Sequence, residues 1–206
     1  MPRNGEEVHR CLQQAGLELF RERGYDQTTA AEIAARAGVT ERTFFRHFAD
    51  KRDILFDSEA SLRTALTEAI AGAPADLAPM QVLLIAFHAV EAIFEDNRPF
   101  TEPRQAVIAA TPALQERELT KIASLIAVLA SALAQRGIDA RVSTLAAQAG
   151  MAAFGYAMTA WLDDASYGLN AHLDRAFNQL FLLSSHYESK GFCEVAFDAA
   201  ASAPQR

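Results

Sequence analysis

The sequence predicts an all-α fold in which a small N-terminal three-helix domain precedes a larger all-helical body. Alanine and leucine are abundant while β-branched residues are sparse, and this composition favours helix over strand. Apolar residues recur at helical spacing along the chain, and no stretch shows the alternation of a convincing strand. Capping residues, glycines and prolines separate these segments. We expect an N-terminal domain over residues 1–50, a helical body over 51–190 and a C-terminal tail over 191–206.

Composition and charge indicate a folded globular protein. Half of the 206 residues are apolar and 22% are charged. The net charge is −7, yet residues 30–52 contain five Lys and Arg against three Asp and Glu, so the acidity lies mostly elsewhere. A small basic patch can bind phosphates while an acidic body keeps the protein soluble. The charge disfavours non-specific coating of DNA but is compatible with specific binding.

The sequence gives no sign of a membrane, metal or cofactor site. The two cysteines, Cys11 and Cys193, lack a disulfide or zinc pattern, and the N-terminus lacks the apolar core of a signal peptide. Residues 142–162 are uncharged and long enough to span a bilayer. Their alanine, hydroxyl and amide content favours a buried helix instead. We therefore expect a cytoplasmic protein without a cofactor.

Three N-terminal helices are predicted from apolar periodicity and caps. Thr29 and Glu32 have the spacing of a capping box, in which each side chain accepts a hydrogen bond from the backbone N–H of the other residue. Thr40 can cap a further short helix over residues 41–47. The first helix, over residues 6–23, has an apolar stripe at helical spacing: Val8, Leu12, Ala15 and Leu19.

The second and third of these helices have the spacing of a helix-turn-helix. Ala34 is small where the two helices would touch, and Gly38 permits a left-handed backbone at the turn. Phe44, six residues after the glycine, would pack the later helix against the earlier one. Ile33 and Phe48 complete a small core.

Helices are also predicted along the rest of the chain. Asp50 and Asp53 cap a fourth helix that runs into residues 62–70. Residues 80–94 are apolar almost all round, which predicts a central buried helix. Prolines and glycines then delimit a short helix and three longer ones, over residues 112–136, 139–161 and 171–187.

Residues 24–55 resemble the N-terminal domain of the TetR family of bacterial regulators; they read GYDQTTAAEIAARAGVTERTFFRHFADKRDIL. The helical body is similar to the family's ligand-binding and dimerisation domain. The resemblance implies a sequence-specific, DNA-binding transcriptional regulator. We expect a repressor that a small-molecule ligand releases from a palindromic operator. The alternative is a DNA-binding protein without a small-molecule effector, controlled by a partner protein or organising DNA.

An enzyme is not expected. The sequence has no glycine-rich phosphate loop, no nucleophile elbow and no histidines at metal-ligand spacing. The carboxylates are scattered as on a solvated surface. His47 and Lys51 are close in sequence, but the expected contacts with DNA explain both.

The resemblance and the residue chemistry assign the same base contacts. The third helix would enter the major groove by its N-terminal end. The fork of Arg42 can make two hydrogen bonds to guanine O6 and N7, and Thr43 can touch a thymine methyl or a phosphate. Glu41 can accept from a cytosine amine, or can simply be favoured by the positive end of the helix dipole.

Phosphate contacts are expected around the same helix. Phe45 stands where the family often has tyrosine, and the missing hydroxyl costs a phosphate hydrogen bond of about 0.5–1.5 kcal/mol. Its ring can still pack against sugars, and Arg46 can supply a replacement contact. Thr29 can serve both as a cap and as a phosphate ligand, whereas Lys51 can alternatively be a solvated charge. Thr29, His47 and Lys51 match the family's phosphate contacts, and Thr28, which matches the family motif, is a further candidate DNA-binding residue.

The resemblance also implies a homodimer and an internal ligand pocket. The dimer candidates are a small-residue stripe and two aromatic residues of the last helix: Ala146, Ala149, Gly150, Ala153, Ala157, Ala160, Phe177 and Phe181. The pocket would hold an unknown, apolar or aromatic effector. Its candidate lining is Phe87, His88, Phe94, Arg104, Phe154, Met158 and Trp161. For either set, ordinary packing within one chain is the alternative, and His88 can be a satisfied core histidine.

Overall fold

The computed structural model describes residues 4–185, and helix is the only regular secondary structure in that range. The predicted tail over 191–206 and the end of the last predicted helix lie outside the described residues. The described helices are α1 (Gly5–Arg23), α2 (Ala30–Arg36), α3 (Glu41–His47), α4 (Asp53–Phe56), α5 (Glu59–Gly72), α6 (Pro79–Ala89), α7 (Glu91–Glu95), α8 (Arg98–Ala109), α9 (Pro112–Gln135), α10 (Ala140–Asp163) and α11 (Leu169–Ser185). The prediction of an all-α fold is confirmed.

The predicted caps of α2 and α3 are present. Thr29 Oγ1 accepts from the Glu32 amide at 3.2 Å, and the Thr29 amide donates to Glu32 Oε2 at 2.9 Å. Thr40 Oγ1 accepts from the Thr43 amide at 3.2 Å. Gly38, between the two helices, has φ of +70°, a conformation that side chains with a Cβ rarely adopt. These local interactions fix where α2 and α3 begin.

The first three helices pack around one hydrophobic cluster. Ile33 and Phe44 are fully buried, and Phe48 is nearly so. The cluster extends beyond residue 50 to the apolar side chains of α4, which end at Phe56, and it also includes Val107 of α8. The N-terminal helices are therefore joined to the body by shared core packing as well as by the chain.

The predicted continuous fourth helix was wrong, because two helices, α4 and α5, occupy that region. They are separated by a turn at Asp57 and Ser58. Leu55 and the other apolar residues of α4 pack into the N-terminal cluster, whereas Leu66 and the other buried residues of α5 pack into the body. The break lies where the chain passes from one core to the other.

The predicted helix over residues 80–94 is also divided. Val90, with φ of −100° and ψ of 2°, separates α6 from α7, and Ile85 on α6 is 39% exposed. The short α7 turns two carboxylates toward the start of α11. Glu95 Oε1 accepts from the Leu169 amide at 2.8 Å, and Glu91 Oε1 accepts from the following amide at 3.2 Å. These bonds satisfy N–H groups that a helix start leaves without intrahelical partners.

The body is built around α10, which packs against α6, α9 and α11. At Gly150, an added Cβ would lie only 2.8 Å from Leu83 Cδ1 of α6, so the glycine allows these helices to approach closely. Ala157 and Trp161 are fully buried in the same core. Arg136 ties the end of α9 to α5, since its guanidinium donates to the carbonyl of Ile70 at 2.8 Å.

One described helix, α9, is long and apolar enough by length and composition alone to cross a membrane. In the structure it packs against α5, α8 and α10 as a helix of the folded body. Residues 142–162, the uncharged segment that is long enough to be a possible membrane span, lie within α10. Nine residues of this helix are buried in the folded body.

Candidate nucleic-acid interface

Helix α3 presents one exposed face opposite its buried side. Phe44 is fully buried, whereas Glu41, Arg42, Phe45 and Arg46 are exposed. The two arginines lie one turn apart and make no hydrogen bond or ion pair within residues 4–185. The Phe45 ring is 53% exposed and meets the edge of the Phe44 ring at a centroid distance of 5.3 Å. The face thus offers two uncommitted guanidinium groups beside an apolar ring.

Other cations near this face are already neutralised. The Arg36 guanidinium makes two hydrogen bonds to the Glu22 carboxylate, at 3.0 and 2.8 Å, and these bonds lower the pKa of Glu22. Arg23 lies 3.1 Å from Glu32, whose pKa is lowered by hydrogen bonds from Thr29. Arg36 and Arg23 are therefore paired within the chain, in contrast to Arg42 and Arg46 of α3.

The two threonines before α2 have different environments. Thr28 is 1% exposed, and its hydroxyl donates to the Gly24 carbonyl at 2.9 Å. Its side chain therefore cannot reach a phosphate, which corrects the assignment of Thr28 as a DNA-contacting side chain. Thr29 is exposed at the start of α2, and its hydroxyl lies 2.9 Å from Glu32 Oε2. On α3, the half-buried Thr43 hydroxyl lies 3.0 Å from that of Thr40.

Lys51 is a structural tie and not a freely solvated charge. Its Nζ donates to the carbonyls of Tyr25 and Thr28 at 2.7 and 2.8 Å, and lies 4.3 Å from the centroid of the Tyr25 ring. Two of the three ammonium donors are thus used. The side chain fastens the loop before α2 to the segment that begins α4, and thereby holds Thr29 at a fixed place beside α3.

His47, at the end of α3, belongs to a small cluster that the sequence did not reveal. Its Nε2 is buried without a hydrogen-bond partner, and its ring lies 5.7 Å from that of His9 on α1. His9 Nε2 lies 2.7 Å from Asp57 Oδ2. Burial, followed by the charges of His9 and Arg46, lowers the pKa of His47. His9 and Asp57 come from distant parts of the chain, so no local pattern could pair them.

A partly open cavity of about 560 Å³ lies in the body between α8, α9 and α10. Four of the seven candidate ligand-binding residues line it, and these are Phe94, Arg104, Phe154 and Met158. A second cavity of about 450 Å³ lies between the N-terminal helices and the body. The residues that line both are Leu62, Phe94, Thr101, Arg104 and Lys121.

The other three candidates do not line either cavity, and the assignment is corrected for them. Phe87 is fully buried behind Phe154, with ring centroids 4.7 Å apart. Trp161 is fully buried, with the Arg98 guanidinium 4.3 Å from its ring centroid. The half-buried His88 has its Nε2 3.0 Å from a carboxylate oxygen on α11. Helical periodicity correctly assigns these residues to the helices α6 and α10, but it does not show which of them border a cavity.

No set of metal ligands is formed in the described part of the chain. Among residues 4–185, no three His, Cys, Asp or Glu side chains come together in a way that could hold a metal ion. The candidate sites are the exposed face of α3 and the two cavities that share lining residues.

Comparison with known proteins identifies the family. Residues 12–57 match the model of the bacterial regulatory proteins of the tetR family, and residues 77–182 match the model of the MftR C-terminal domain. The chain belongs to the TetR family, and it is a DNA-binding transcriptional regulator with an N-terminal helix-turn-helix.

Two relatives illustrate how far the similarity extends. The HTH-type transcriptional regulator TcmR of Streptomyces glaucescens is 40% identical over 74 residues, which cover 36% of this chain and 33% of TcmR. A Mycobacterium tuberculosis protein named as the mycofactocin biosynthesis transcriptional regulator MftR is 26% identical over 170 residues, covering 81% of this chain and 86% of that protein. The match to TcmR thus spans about a third of that relative.

Solved structures share the fold. NalD of Pseudomonas aeruginosa, described as the secondary repressor of a multidrug efflux pump, aligns with a TM-score of 0.60 and 21% identity over 86% of this chain and 96% of its own. FadR of Thermus thermophilus, solved with lauroyl-CoA, aligns with a TM-score of 0.51 and 22% identity over 84% and 93%. The arrangement of helices is that of TetR-family regulators.

Replacement of Lys51 tests its structural role. Lys51→Met removes two charge-assisted hydrogen bonds, so we expect the free energy of unfolding to fall by about 1–3 kcal/mol. The control is Arg52→Met. The Arg52 side chain is 55% exposed, and its Nε lies 3.7 Å from Asp50 Oδ2, which is too far for a hydrogen bond. This variant should therefore change the free energy of unfolding by less than about 0.5 kcal/mol. Urea denaturation at one fixed protein concentration measures both. Equal stabilities of the two variants would contradict the assignment.

Proposed function

We propose that the chain is a homodimeric repressor that binds a palindromic operator through its two α3 helices and releases it when a small molecule occupies the body. The observation that supports this most directly is the exposed α3 face, where Arg42 and Arg46 have no partner within the described residues. We further propose residues 1–50 as the DNA-binding domain and 51–190 as the ligand-binding and dimerisation domain, with α4 connecting them. A repressor of this kind acts in the cytoplasm, and no enzymatic activity is proposed.

In this proposal α3 lies in the major groove. Arg42, in the first turn, reaches a guanine edge, because a guanidinium can bond both O6 and N7. Phe45 and Arg46 lie on the same exposed face one turn later; the ring packs against a thymine methyl or a sugar, and Arg46 binds a phosphate. Glu41 stands beside Arg42 and can accept from a cytosine amine. Thr43 contacts the edge of the groove.

Phosphates flank α3 on both sides in the proposed complex. Thr29 stands exposed at the start of α2, where free amide groups favour an anion. His47 stands at the other end of α3 and is half-buried. Lys51 contributes chiefly by holding the loop that places Thr29, and its third ammonium donor can still point to a phosphate.

A second copy of the chain covers the outer face of α10 and α11. Leu145 and Tyr156 on α10 are 68% and 66% exposed, and Leu183 on α11 is 71% exposed. Between these helices runs a groove lined by Ala152, Tyr156 and Leu183, among others. Large exposed apolar side chains in one patch indicate an interface. Dimerisation would hold two α3 helices about 34 Å apart, the distance between successive turns of the major groove.

Some of the dimer contacts expected from the sequence are instead buried within a single chain. Of the small-residue stripe, Gly150 packs on Leu83 of α6, and Ala157 is fully buried within the chain. Phe177 is 8% exposed and lies 6.0 Å from the ring of Phe87, so it belongs to the core. Phe181 is 69% exposed and remains on the proposed interface.

The ligand response is supported by the cavity and by relatives of the same fold. FadR of Thermus thermophilus was solved with lauroyl-CoA, and SmeT with triclosan. In this chain, Phe94, Phe154 and Met158 give one cavity a largely apolar wall. A cavity with a largely apolar wall favours an effector over the alternative of a regulator without one. The effector would change the spacing of the two heads, and a coupling of about 1–3 kcal/mol would weaken DNA binding 5–150-fold.

Selection of bound sequences from a random DNA library tests the proposal and supplies an operator. We expect enrichment of a palindrome with a guanine in each half-site.

Two substitutions then distinguish base contacts from phosphate contacts. Arg42→Ala should lose about 1–3 kcal/mol of discrimination at that guanine. Arg46→Ala should weaken binding to all sequences and lower the slope of log binding constant against log salt concentration by about one. Equal losses of Arg42→Ala on operator and random DNA would show that Arg42 does not read a base.

Charge introduced on the outer face of α10 tests the dimer. Tyr156→Glu should give monomers at micromolar concentration, because a carboxylate would be buried without a partner in the interface. Leu119→Glu is the matched control, since Leu119 is a 67% exposed apolar residue of α9 that is not part of the patch. Sedimentation equilibrium measures both. A wild-type protein that is monomeric under these conditions would overturn the proposed interface.

A further inference from the structure

The last residue of α4, Phe56, lies among three cations of the body. Its ring centroid is 5.1 Å from Cζ of Arg104, 5.0 Å from Cζ of Arg117 and 5.9 Å from Nζ of Lys121. Phe56 itself is only 5% exposed. Positive groups from α8 and α9 are thus gathered at the point where the N-terminal helices meet the body.

Two of these cations share a single carboxylate. Glu118 Oε2 lies 2.8 Å from Arg104 Nη2, and Glu118 Oε1 lies 3.3 Å from Lys121 Nζ. Arg117 is paired separately, with Glu59 at 2.9 Å. The side chains of Arg104 and Lys121 are 10% and 15% exposed, so water does little to offset their charge. Within this group of three side chains, Arg104, Lys121 and Glu118, positive charges exceed negative charges by one.

Burial and the neighbouring charges both shift the pKa values in this cluster. Burial, followed by the charge of Arg104, lowers the pKa of Lys121 in spite of its carboxylate partner. Burial opposes the ionisation of Glu118, but the attraction of Arg104 and Lys121 outweighs it and lowers the pKa of Glu118. A second anion beside Lys121 would stabilise the charged form that burial disfavours.

The cluster faces a largely apolar wall in the body cavity, whereas the cavity under the N-terminal helices is also lined by polar side chains such as Gln13 and Asn97. Arg104 and Lys121 line the body cavity and the cavity under the N-terminal helices alike, together with Phe94. Phe154 and Met158 complete the apolar wall of the former. Two other carboxylates of that cavity, Glu102 and Asp163, are exposed to solvent and are better screened. The arrangement suits a molecule with one anionic end and one apolar end.

Arg104 also binds the backbone of α4. Its Nε donates to the carbonyl of Leu55, while its Nη2 binds Glu118. The buried Arg104 side chain thus links Glu118 of the cavity wall to the backbone of α4. An anion that draws the guanidinium into the cavity would compete with the Leu55 carbonyl for the same donors.

We propose that the cavities bind an apolar carboxylic acid, with its carboxylate held by Arg104 and Lys121 and its chain against Phe94, Phe154 and Met158, and that binding pulls Arg104 away from the Leu55 carbonyl. The proposal rests on the ligand response proposed above, and it adds the chemical class of the ligand and the residue that transmits its binding. Arg104 is then a positioning residue for α4, and Lys121 determines the preference for a charged ligand.

The test compares dodecanoate with dodecan-1-ol, which share a chain length but differ in charge. Calorimetry on the wild-type protein should show that the acid binds about ten-fold or more tighter than the alcohol, as a charge-assisted hydrogen bond of 1.5–3 kcal/mol requires. Lys121→Met should reduce this preference, because only Arg104 then remains to hold the carboxylate. Arg117→Met is the matched control, because Arg117 contacts the same Phe56 ring but lines neither cavity, and it should keep the preference.

Fluorescence anisotropy with the selected operator tests the role of Arg104. Arg104→Lys keeps a cation at the cavity, but the shorter fork-less side chain cannot bind Glu118 and the Leu55 carbonyl together. We expect this variant to bind the acid, but to bind the operator more weakly than the wild-type protein before acid is added and to change little when it is added. Release as in the wild-type protein would overturn the positioning role.

The outcomes separate this proposal from the proposed function. Equal binding of acid and alcohol to the wild-type protein, binding of neither probe, or an unchanged preference in Lys121→Met would overturn the anion site. If acid and alcohol release the operator equally well, the ligand response stands and the anion site falls. If the library yields no operator, the failure lies with the proposed repressor and not with the cavity.

Discussion

The burial of Phe44 is the constraint on which the DNA-binding face depends. Its ring is fully enclosed by the N-terminal core, and this fixes the rotation of α3 about its own axis. With only seven residues, α3 has little stability of its own, so tertiary packing and the Thr40 cap determine its position. This rotation turns Arg42, Phe45 and Arg46 away from the core, so the three side chains are exposed together.

A second feature, the junction of the two cores, relates this face to the body. α4 packs its apolar side chains with those of α1, while Val107 of α8 enters the same cluster. The polar contacts of Arg104 lie at the edge of this junction. A ligand that moves Arg104 can thus shift α4 directly, because Arg104 contacts both helix α4 and the cavity wall. Arg104 and Lys121 line both cavities, so a ligand in either one can contact them.

The sequence predicted best those features that depend on neighbouring residues. The capping box of Thr29 and the buried Phe44 follow from short-range spacing and are present in the structure. The breaks at Asp57 and Val90 were missed, because a helix that passes between two cores has the same periodicity as one that stays in one core. The two hydrogen bonds of Lys51 to backbone carbonyls were also not predicted, since these carbonyls lie more than twenty residues away in the sequence. Which apolar residues border a cavity depends on packing between helices, and no periodicity contains that information.

The most direct test of the central claim, that α3 of each subunit enters the major groove, is methylation interference on the selected operator. Dimethyl sulfate methylates guanine N7 in the major groove and adenine N3 in the minor groove. We predict that methylated guanines block binding at two positions about 34 Å apart on one face of the duplex, and that the block disappears for Arg42→Ala. Interference at adenines alone, or at a single cluster, would contradict the account.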